Sequence, residues 1–174
     1  DEIVVQELEE ITTPVDWSQF RDPFRPQNAD VDEWNNNWNN LTALFGSTWR
    51  DFADTLREEA VRTSLRGQDA TLLAPALERL YRKSLGEPTA AISGRIRDTE
   101  TGGPVQPTQV KAVGQNTDTI RLADTNPTTG RFILENLPDD EYRLTIENYR
   151  TEEIPVVEVI GDGDVNNLEL LAET

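Results

Sequence analysis

The chain has 174 residues, 36% of them hydrophobic, which suits one or two small domains with a modest core. Its 33 acidic residues outnumber its 16 basic ones, and the net charge of −17 disfavours binding to nucleic acid phosphates or to anionic lipid headgroups. Cysteine and histidine are absent, which excludes disulfides, thiol nucleophiles, a histidine base and the commonest transition-metal ligands.

The basic residues point to a high-salt environment. Lys83 and Lys111 are the only lysines among the 16 basic residues, and the others are arginines. An acidic excess with almost no lysine is typical of proteins from extreme halophiles, in which dense carboxylates hold water and salt screens their repulsion. We therefore expect a halophilic protein, with an acidic mesophilic one as the alternative. We expect no membrane insertion, because no apolar run approaches the roughly 18–20 residues that cross a bilayer.

Residues 1–27 show no helical period and predict an extended N-terminal arm. Within "EIVVQELEEI", Ile3 and Val5 would lie on one face of a strand and Leu8 on the other. Such a strand could pair with the sheet edge of a neighbouring subunit, or return to its own sheet or helices. Three prolines prevent a helix in the rest of the arm, which carries aromatic residues suited to anchoring it on another surface: Trp17, Phe20 and Phe24. The start at Asp1 without any methionine suggests a mature terminus left by a signal peptidase or maturation protease. The alternative is a choice of numbering.

Residues 28–88 are predicted to form a helical hairpin. The first helix has a capping box at Asp30 with Glu33, a stop at Gly67, and a kink or split at Gly46. Its apolar stripe consists of Trp34, Trp38, Leu41, Phe45, Trp49, Phe52, Leu56 and Ala60. A second helix is predicted over residues 75–85, with three side chains facing inward: Leu77, Leu80 and Tyr81. The aromatic stripe is expected to serve as core or as a partner interface.

From position 89 the period of apolar residues drops to two. Seven strands are predicted, separated by turn sequences such as "TNPTTG", "LPDD" and "GDGD". The strands are "AAISGRIRD", "TQVKAVG", "DTIRLAD", "RFILENL", "EYRLTIEN", "EIPVVEVI" and "VNNLELLAE". Their alternation and even spacing predict a seven-stranded antiparallel Greek-key β-sandwich over residues 89–174. The predicted fold class is therefore α+β.

Linked motifs in residues 90–171 resemble a known family. They are "ISGRIRDTETGGPVQP", "ADTNPTTGRF" and "LPDDEYRLTI", with the landmarks Gly94, Asp98, Gly130, Phe132, Leu137, Pro138 and Tyr142. The segment is similar to the carboxypeptidase regulatory-like domain, a transthyretin-like or Cna-B-like sandwich. One departure is Asp140, which stands where the family usually has glycine. We expect the hairpin to survive because aspartate tolerates left-handed turn geometry.

The resemblance implies a domain that is not itself an enzyme. Such modules are similar to spacers, adhesive units and folding partners in extracellular proteins, and the peptidase of the family name lies in a separate domain. The hairpin sequence predicts that Tyr142 is buried with its hydroxyl bonded to backbone. It also predicts one shared core from the paired strands, formed by Phe132, Leu134, Tyr142, Leu144 and Ile146.

The remaining polar motifs predict no catalytic residue, metal or cofactor. Adjacent carboxylates, as at positions 58–59 and 152–153, point apart on a helix or strand, so a solvated acidic face is favoured over paired acid–base chemistry. In "GDGDVNN", three side chains alternate as calcium ligands sometimes do, although a hairpin turn is favoured: Asp162, Asp164 and Asn166. Asn40 begins a glycosylation sequon that matters only in an exported chain.

We therefore predict a non-enzymatic structural subunit of an extracellular, oligomeric assembly whose partners are other protein subunits. A virion component (capsid decoration, turret, tail or fibre) is slightly favoured over a cell-surface filament because the helical anchor is large. The expected partner-binding residues are Ile3, Val5, Leu8, Trp17, Trp34 and Trp38. The alternative is a surface module whose loops bind a carbohydrate, calcium or a receptor.

Overall fold

The computed structural model describes residues 13–150, 155–161 and 163–173. It confirms an α+β chain in which helices precede strands. The helices are α1 (Val31–Phe45), α2 (Trp49–Leu65) and α3 (Ala74–Ser84). The strands are β1 (Ala90–Asp98), β2 (Gln109–Gly114), β3 (Ile120–Asp124), β4 (Arg131–Leu137), β5 (Asp140–Ile146), β6 (Val156–Val159) and β7 (Val165–Ala172). Within the described residues, no helix has both the length and the apolar character needed to cross a membrane.

The described chain divides into two compact units. The helical unit contains the residues up to Arg62 together with Ala70–Glu87. The sheet unit contains Thr63–Asp69 and the described residues from Pro88 onward. Each unit has its own cluster of buried apolar side chains, aromatic in the helical unit and mostly aliphatic in the sheet unit.

The long helix of the sequence prediction is split at a glycine. The Asp30 carboxylate accepts the backbone N–H of Glu33 at 2.9 Å, which starts α1 where the sequence predicts. Gly46 has a φ of 87°, a left-handed conformation that favours glycine, and α1 ends before it. The Thr48 hydroxyl then accepts the N–H of Asp51 at 3.1 Å at the start of α2. The described residues therefore form three α-helices where the hairpin prediction has two.

On α3 the prediction that Leu77 faces inward is wrong. Leu77 is 36% exposed, whereas Ala76, Arg79 and Leu80 are buried. The buried guanidinium of Arg79 donates to the Glu59 carboxylate of α2 at 2.6 Å. This ion pair explains why α3 buries Arg79 and leaves Leu77 exposed.

The described part of the predicted arm, residues 13–27, is not extended. Trp17–Phe20 form a short 3-10 helix whose start is capped by the Asp16 carboxylate. Three buried indole N–H groups need acceptors, and each finds a backbone carbonyl. Trp17 donates to Gly46 at 2.8 Å, Trp34 to Arg21 at 2.5 Å, and Trp38 to Trp17 at 3.1 Å. These bonds hold the segment against α1. Residues 1–12 lie outside the described residues.

The strands form two sheets, ordered β4-β1-β7 and β3-β2-β5-β6. Among the described strand pairs, β1 and β7 run parallel and the others antiparallel, so the prediction of an entirely antiparallel arrangement is wrong for this pair. The chain between β1 and β7 is long enough for the crossover that a parallel pair needs. Gly94 fits their close approach, because a Cβ there would collide with the carbonyl oxygen of Leu168.

Side chains from both sheets meet in one core. Along β5 the buried and exposed positions alternate, and the residues that the hairpin sequence predicts as core all belong to it: Phe132, Leu134, Tyr142, Leu144 and Ile146. The Tyr142 hydroxyl donates to the carbonyl of Pro138 at 2.5 Å, which confirms the predicted corner. Burial raises the pKa of this hydroxyl.

Candidate interaction surface

The outer face of the four-stranded sheet carries two rows of side chains that are directly opposite one another. In the first row, Ile120 of β3 faces Val113 of β2, Val113 faces Arg143 of β5, and Arg143 faces Val156 of β6. In the second row, Leu122 of β3 faces Lys111 of β2, and Lys111 faces Thr145 of β5. We call the mixed face the six residues Lys111, Val113, Ile120, Leu122, Arg143 and Val156.

The mixed face exposes large apolar side chains. Ile120, Leu122 and Val156 are each more than half exposed, at 52%, 58% and 53%. Val113 lies between them and is half-buried. Completely burying a side chain of this kind is worth about 1.5–3 kcal/mol relative to leaving it in water. A row of such residues on a chain this charged is a candidate interaction surface.

The same face carries two positive charges. Lys111 and Arg143 lie on neighbouring strands, and within the described parts of the chain neither side chain forms an ion pair or a hydrogen bond. Like charges on adjacent strands repel one another unless an anion lies between them. Three exposed carboxylates share this outer face: Asp124 lies two residues from Leu122 on β3, and Glu141 of β5 faces Glu158 of β6 in the row beside Arg143 and Val156. The outer face of this sheet therefore combines exposed apolar side chains with charges of both signs.

The partner-binding tryptophans predicted from the sequence lie in the core of the helical unit. Trp17, Trp34 and Trp38 are 9%, 5% and 4% exposed and pack against one another and against Phe45. Their indole N–H groups donate to backbone carbonyls of the same chain, so these three tryptophans are core residues of the helical unit. The other predicted partner-binding residues, Ile3, Val5 and Leu8, fall outside the described residues.

The polar residues considered as calcium ligands are bonded inside the sheet unit. Arg66 donates to both oxygens of Asp164, at 2.9 Å from Nε and 2.8 Å from Nη2, and both side chains are about 95% buried. Asp164 also accepts the backbone N–H of Ala91 at 3.0 Å. Asn166 accepts from the Ser93 hydroxyl at 2.7 Å. These contacts occupy the oxygens that calcium would need. Asp162, the third candidate, is outside the described residues, and the rest contain no group of three carboxylates that could hold a metal.

Asp140, the departure from the family pattern, orders a loop. Its carboxylate accepts from the Thr117 hydroxyl at 2.6 Å and from the backbone N–H groups of Asn116 at 3.0 Å and Thr117 at 2.9 Å. The Thr117 bond, followed by the backbone bonds, holds the pKa of Asp140 well below its usual range against the opposing effect of burial. The expectation that a hairpin of paired strands survives here is wrong, because β4 and β5 lie in different sheets. Asp140 itself lies in β5, and Asn136 has the positive φ, at 58°.

The other polar residues considered as candidates form contacts within the folded chain. Glu59 is buried against Arg79, whereas the neighbouring Glu58 is exposed, so this carboxylate pair does not converge. Asn40 is exposed on α1, and its amide donates to Asn37 at 3.1 Å. Tyr81 donates to Glu33 at 3.0 Å, and burial with this carboxylate raises the pKa of Tyr81 to about 12.

Sequence reasoning did not find the mixed face. The alternating pattern of β3 has apolar residues on both faces, since Ala123 is buried while Ile120 and Leu122 are exposed. The sequence signal that could have revealed the mixed face is a strand with apolar residues on both of its faces. The joining of four strands into rows depends on the register, which the period alone does not give.

Comparison with known proteins finds a family match within the sheet unit. Residues 91–170 match the carboxypeptidase regulatory-like domain, which confirms the resemblance found in the motifs. No curated protein sequence matches the chain. Among solved structures, the chain is similar to one described as the crystal structure of (S)-allantoin synthase, with 13% sequence identity and a TM-score of 0.37, covering 86% of this chain and 71% of that one.

Proposed function

Because residues 91–170 match the carboxypeptidase regulatory-like domain, we propose that the chain is a non-enzymatic structural subunit of an extracellular assembly. The helical unit and the N-terminal residues anchor the subunit, and the sheet unit is displayed as a seven-stranded Greek-key sandwich. The setting is a halophile, with a virion component slightly favoured over a cell-surface filament. The partners are other protein subunits.

The mixed face is the observation on which this proposal depends. A subunit of an assembly needs an exposed surface with apolar area, and the face supplies three side chains that are more than half exposed: Ile120, Leu122 and Val156. Lys111 and Arg143, with the exposed carboxylates beside them, add charges of both signs to the surface. Opposite charges steer association and fix its orientation.

The helical unit offers a second apolar surface that suits the anchoring role. Leu72 and Leu73 are 58% and 57% exposed at the start of α3, and Leu77 follows one turn later on the same side as Leu73. The sandwich arrangement is supported by the single core that both sheets share. The halophilic setting is supported by the 33 acidic residues and the two lysines.

The proposal predicts salt-dependent self-association or association with other subunits. Sedimentation of the purified chain in molar salt, over a range of concentrations, measures the mass of the particles. We expect masses above that of one chain, and a fall towards the monomer when Ile120→Ser and Leu122→Ser are introduced together. The matched control is Leu171→Ser, which changes a side chain of 41% exposure on β7 of the other sheet. A chain that stays monomeric at every concentration and binds no co-expressed neighbour would reject the proposal.

A second candidate function is carbohydrate binding at a groove of the helical unit. The groove has a volume of about 230 Å³ and is lined by Asp16, Gln19, Phe20 and Trp49 among others. Trp49 is 37% exposed, and sugars stack on exposed aromatic faces beside carboxylate and amide groups. This candidate ranks lower because the Asp16 carboxylate already accepts from Ser18 and Gln19. A glycan array is expected to show no binding, and binding that is lost in Trp49→Ala would favour this candidate.

A further inference from the structure

Two aromatic rings line the groove of the helical unit. Phe20 ends the short 3-10 helix and Trp49 begins α2, and both side chains border the groove. Their ring centroids are 5.3 Å apart, and their planes meet at 80°. Trp49 is 37% exposed, so part of its ring is accessible to a ligand. Two rings at right angles can contact one compact group from two sides.

Backbone pairing fixes the segment that carries Asp16 beside the start of α2. The N–H of Val15 donates to the carbonyl of Ser47 at 2.8 Å, and Pro14 forms an isolated β-bridge with Thr48. Asp16 follows directly after this pairing, and its side chain lines the same groove as Trp49. The groove is therefore built on ordered backbone within the helical unit.

The groove contains a negative charge. Among the described residues that line it, Asp16 is charged and none is basic. The Asp16 carboxylate accepts from the Ser18 hydroxyl at 2.5 Å and from the Gln19 amide at 3.4 Å. The Ser18 hydroxyl, followed by the Ser18 N–H and the Gln19 amide, lowers the pKa of Asp16. The carboxylate therefore stays ionised beside the aromatic rings at neutral pH.

We propose that this groove binds the trimethylammonium head of an organic cation. Aromatic faces attract cations, and quaternary ammonium groups are recognised by aromatic side chains that surround them. The groove volume of about 230 Å³ lies below the roughly 300–1,000 Å³ of sites for drug-sized ligands, so it suits a compact head group. The inference goes beyond the proposed function, since it makes no use of the mixed face.

The hydrogen bonds of Asp16 favour this ligand over a sugar. A sugar hydroxyl needs a free acceptor on the carboxylate, whereas a trimethylammonium head has no N–H or O–H to donate. The head interacts with the charge of Asp16 through space, and that charge remains when Ser18 and Gln19 donate to it.

Choline and its neutral isostere 3,3-dimethylbutan-1-ol distinguish a cation site from an apolar groove. Ligand-observed NMR in molar sodium chloride follows the methyl signal of each compound and gives its Kd for the purified chain, whether monomeric or assembled. We expect choline to bind at least about threefold more tightly than the isostere, because the two differ in charge and hardly in shape. Equal affinities, or no binding of choline at about 0.1 M, would overturn the proposal.

Two variants locate the bound cation. Asp16→Asn keeps an acceptor for the Ser18 N–H and removes the charge, so it should weaken choline binding about 2- to 5-fold and leave the isostere unchanged. The matched control is Asp22→Asn, which changes an exposed carboxylate outside the groove. Trp49→Leu should weaken choline binding about 2- to 30-fold, with helical circular dichroism reporting the fold. Choline affinity that is unchanged in both Asp16→Asn and Trp49→Leu would overturn the assignment to this groove.

A trimethylammonium head can belong to a free small molecule or to a methylated lysine of a partner protein. A peptide that carries trimethyllysine, compared with the same peptide carrying unmodified lysine, separates these sources. The unmodified peptide should bind more weakly, because its ammonium group is strongly hydrated. A trimethyllysine peptide that binds more tightly than choline indicates the protein source, and one that binds more weakly indicates the free molecule. Equal binding of the two peptides, like equal binding of choline and its isostere, would contradict a site for methylated ammonium.

Discussion

Different interactions stabilise the two units of the chain. The helical unit has an aromatic core in which three indole N–H groups donate to backbone carbonyls. The sheet unit has a mostly aliphatic core, and at its periphery two carboxylates, Asp140 and Asp164, bind loops and an arginine. Each unit also contains a buried ion pair, Arg79 with Glu59 in the helical unit and Arg66 with Asp164 in the sheet unit.

The difference shows how an acidic chain uses its charges. Asp140 and Asp164 are buried or nearly so, and each makes several hydrogen bonds inside the sheet unit. Burying a carboxylate is unfavourable unless it is paired and hydrogen-bonded, so these two residues are sensitive to loss of a partner. The indoles of the helical unit each depend on one neutral hydrogen bond. Substituting one of these indoles should therefore cost less stability than removing a buried carboxylate.

The largest effect is expected for Asp164→Ala. The substitution leaves Arg66, which is 4% exposed, without its carboxylate and removes the acceptor of the Ala91 N–H. Removing one partner of a buried ion pair costs about 3–5 kcal/mol of unfolding free energy. Urea unfolding followed by the β-sheet circular dichroism signal measures the loss.

Two controls sharpen this prediction. Arg97→Ala removes a pair with Glu169 whose side chains are 44% and 49% exposed, and it should cost less than about 1 kcal/mol. Arg66→Met combined with Asp164→Leu should recover most of the stability that Asp164→Ala loses, because no buried charge is then left unpaired. A loss of equal size in Arg97→Ala would contradict the distinction between buried and exposed pairs.

In the helical unit, Trp38→Phe should have a smaller effect. It removes the N–H that donates to the Trp17 carbonyl and leaves a small cavity beside Phe45. An unsatisfied buried carbonyl costs about 1–3 kcal/mol, and we expect a loss of unfolding free energy in that range. Helical circular dichroism is the measurement, since tryptophan emission changes with the substitution itself.

Trp49→Phe is the matched control for the helical unit. Trp49 also packs against aromatic rings but is 37% exposed, and its indole N–H bonds to none of the described residues, so its substitution should cost less stability than that of Trp38. If Trp49→Phe destabilises as much as Trp38→Phe, the bond to the Trp17 carbonyl is not the cause.

The difference between the units also explains what the sequence could predict. The period of two placed all seven strands, with β1 and β4 at their observed bounds and the others within three residues, because alternation depends on neighbours in the chain. The split at Gly46 was predictable for the same reason. The Arg66–Asp164 pair joins residues 98 positions apart, and the parallel pairing of β1 with β7 joins distant strands. Neither contact has a local pattern, and the mixed face depends on such long-range pairing.

Tyr142→Phe should have a modest effect in the sheet unit. The substitution keeps the buried ring and removes the hydroxyl that donates to the Pro138 carbonyl at 2.5 Å. A single neutral hydrogen bond contributes about 1 kcal/mol, and thermal unfolding should show a loss of that size. Tyr149→Phe is the control, since the Tyr149 hydroxyl bonds to none of the described residues. A loss of several kcal/mol would indicate that the substitution had unfolded the Leu137-Pro138 corner as well as removing one hydrogen bond.

The smallest expected effect is a pH dependence of stability that arises from Asp140. Its folded-state pKa lies below the ordinary value of 3.8, so the folded state favours the charged carboxylate. The resulting stabilisation is complete above about pH 4 and is lost as the pH falls through the folded-state pKa. Asn in place of Asp cannot titrate, so the stability of Asp140→Asn should fall less steeply than that of the unsubstituted chain below pH 4. Urea midpoints measured at several pH values in molar salt test this, because salt screens the other carboxylates while the bonds to Thr117 and Asn116 remain. Parallel curves for the two proteins below pH 4 would show that the loop contacts do not favour the charged form.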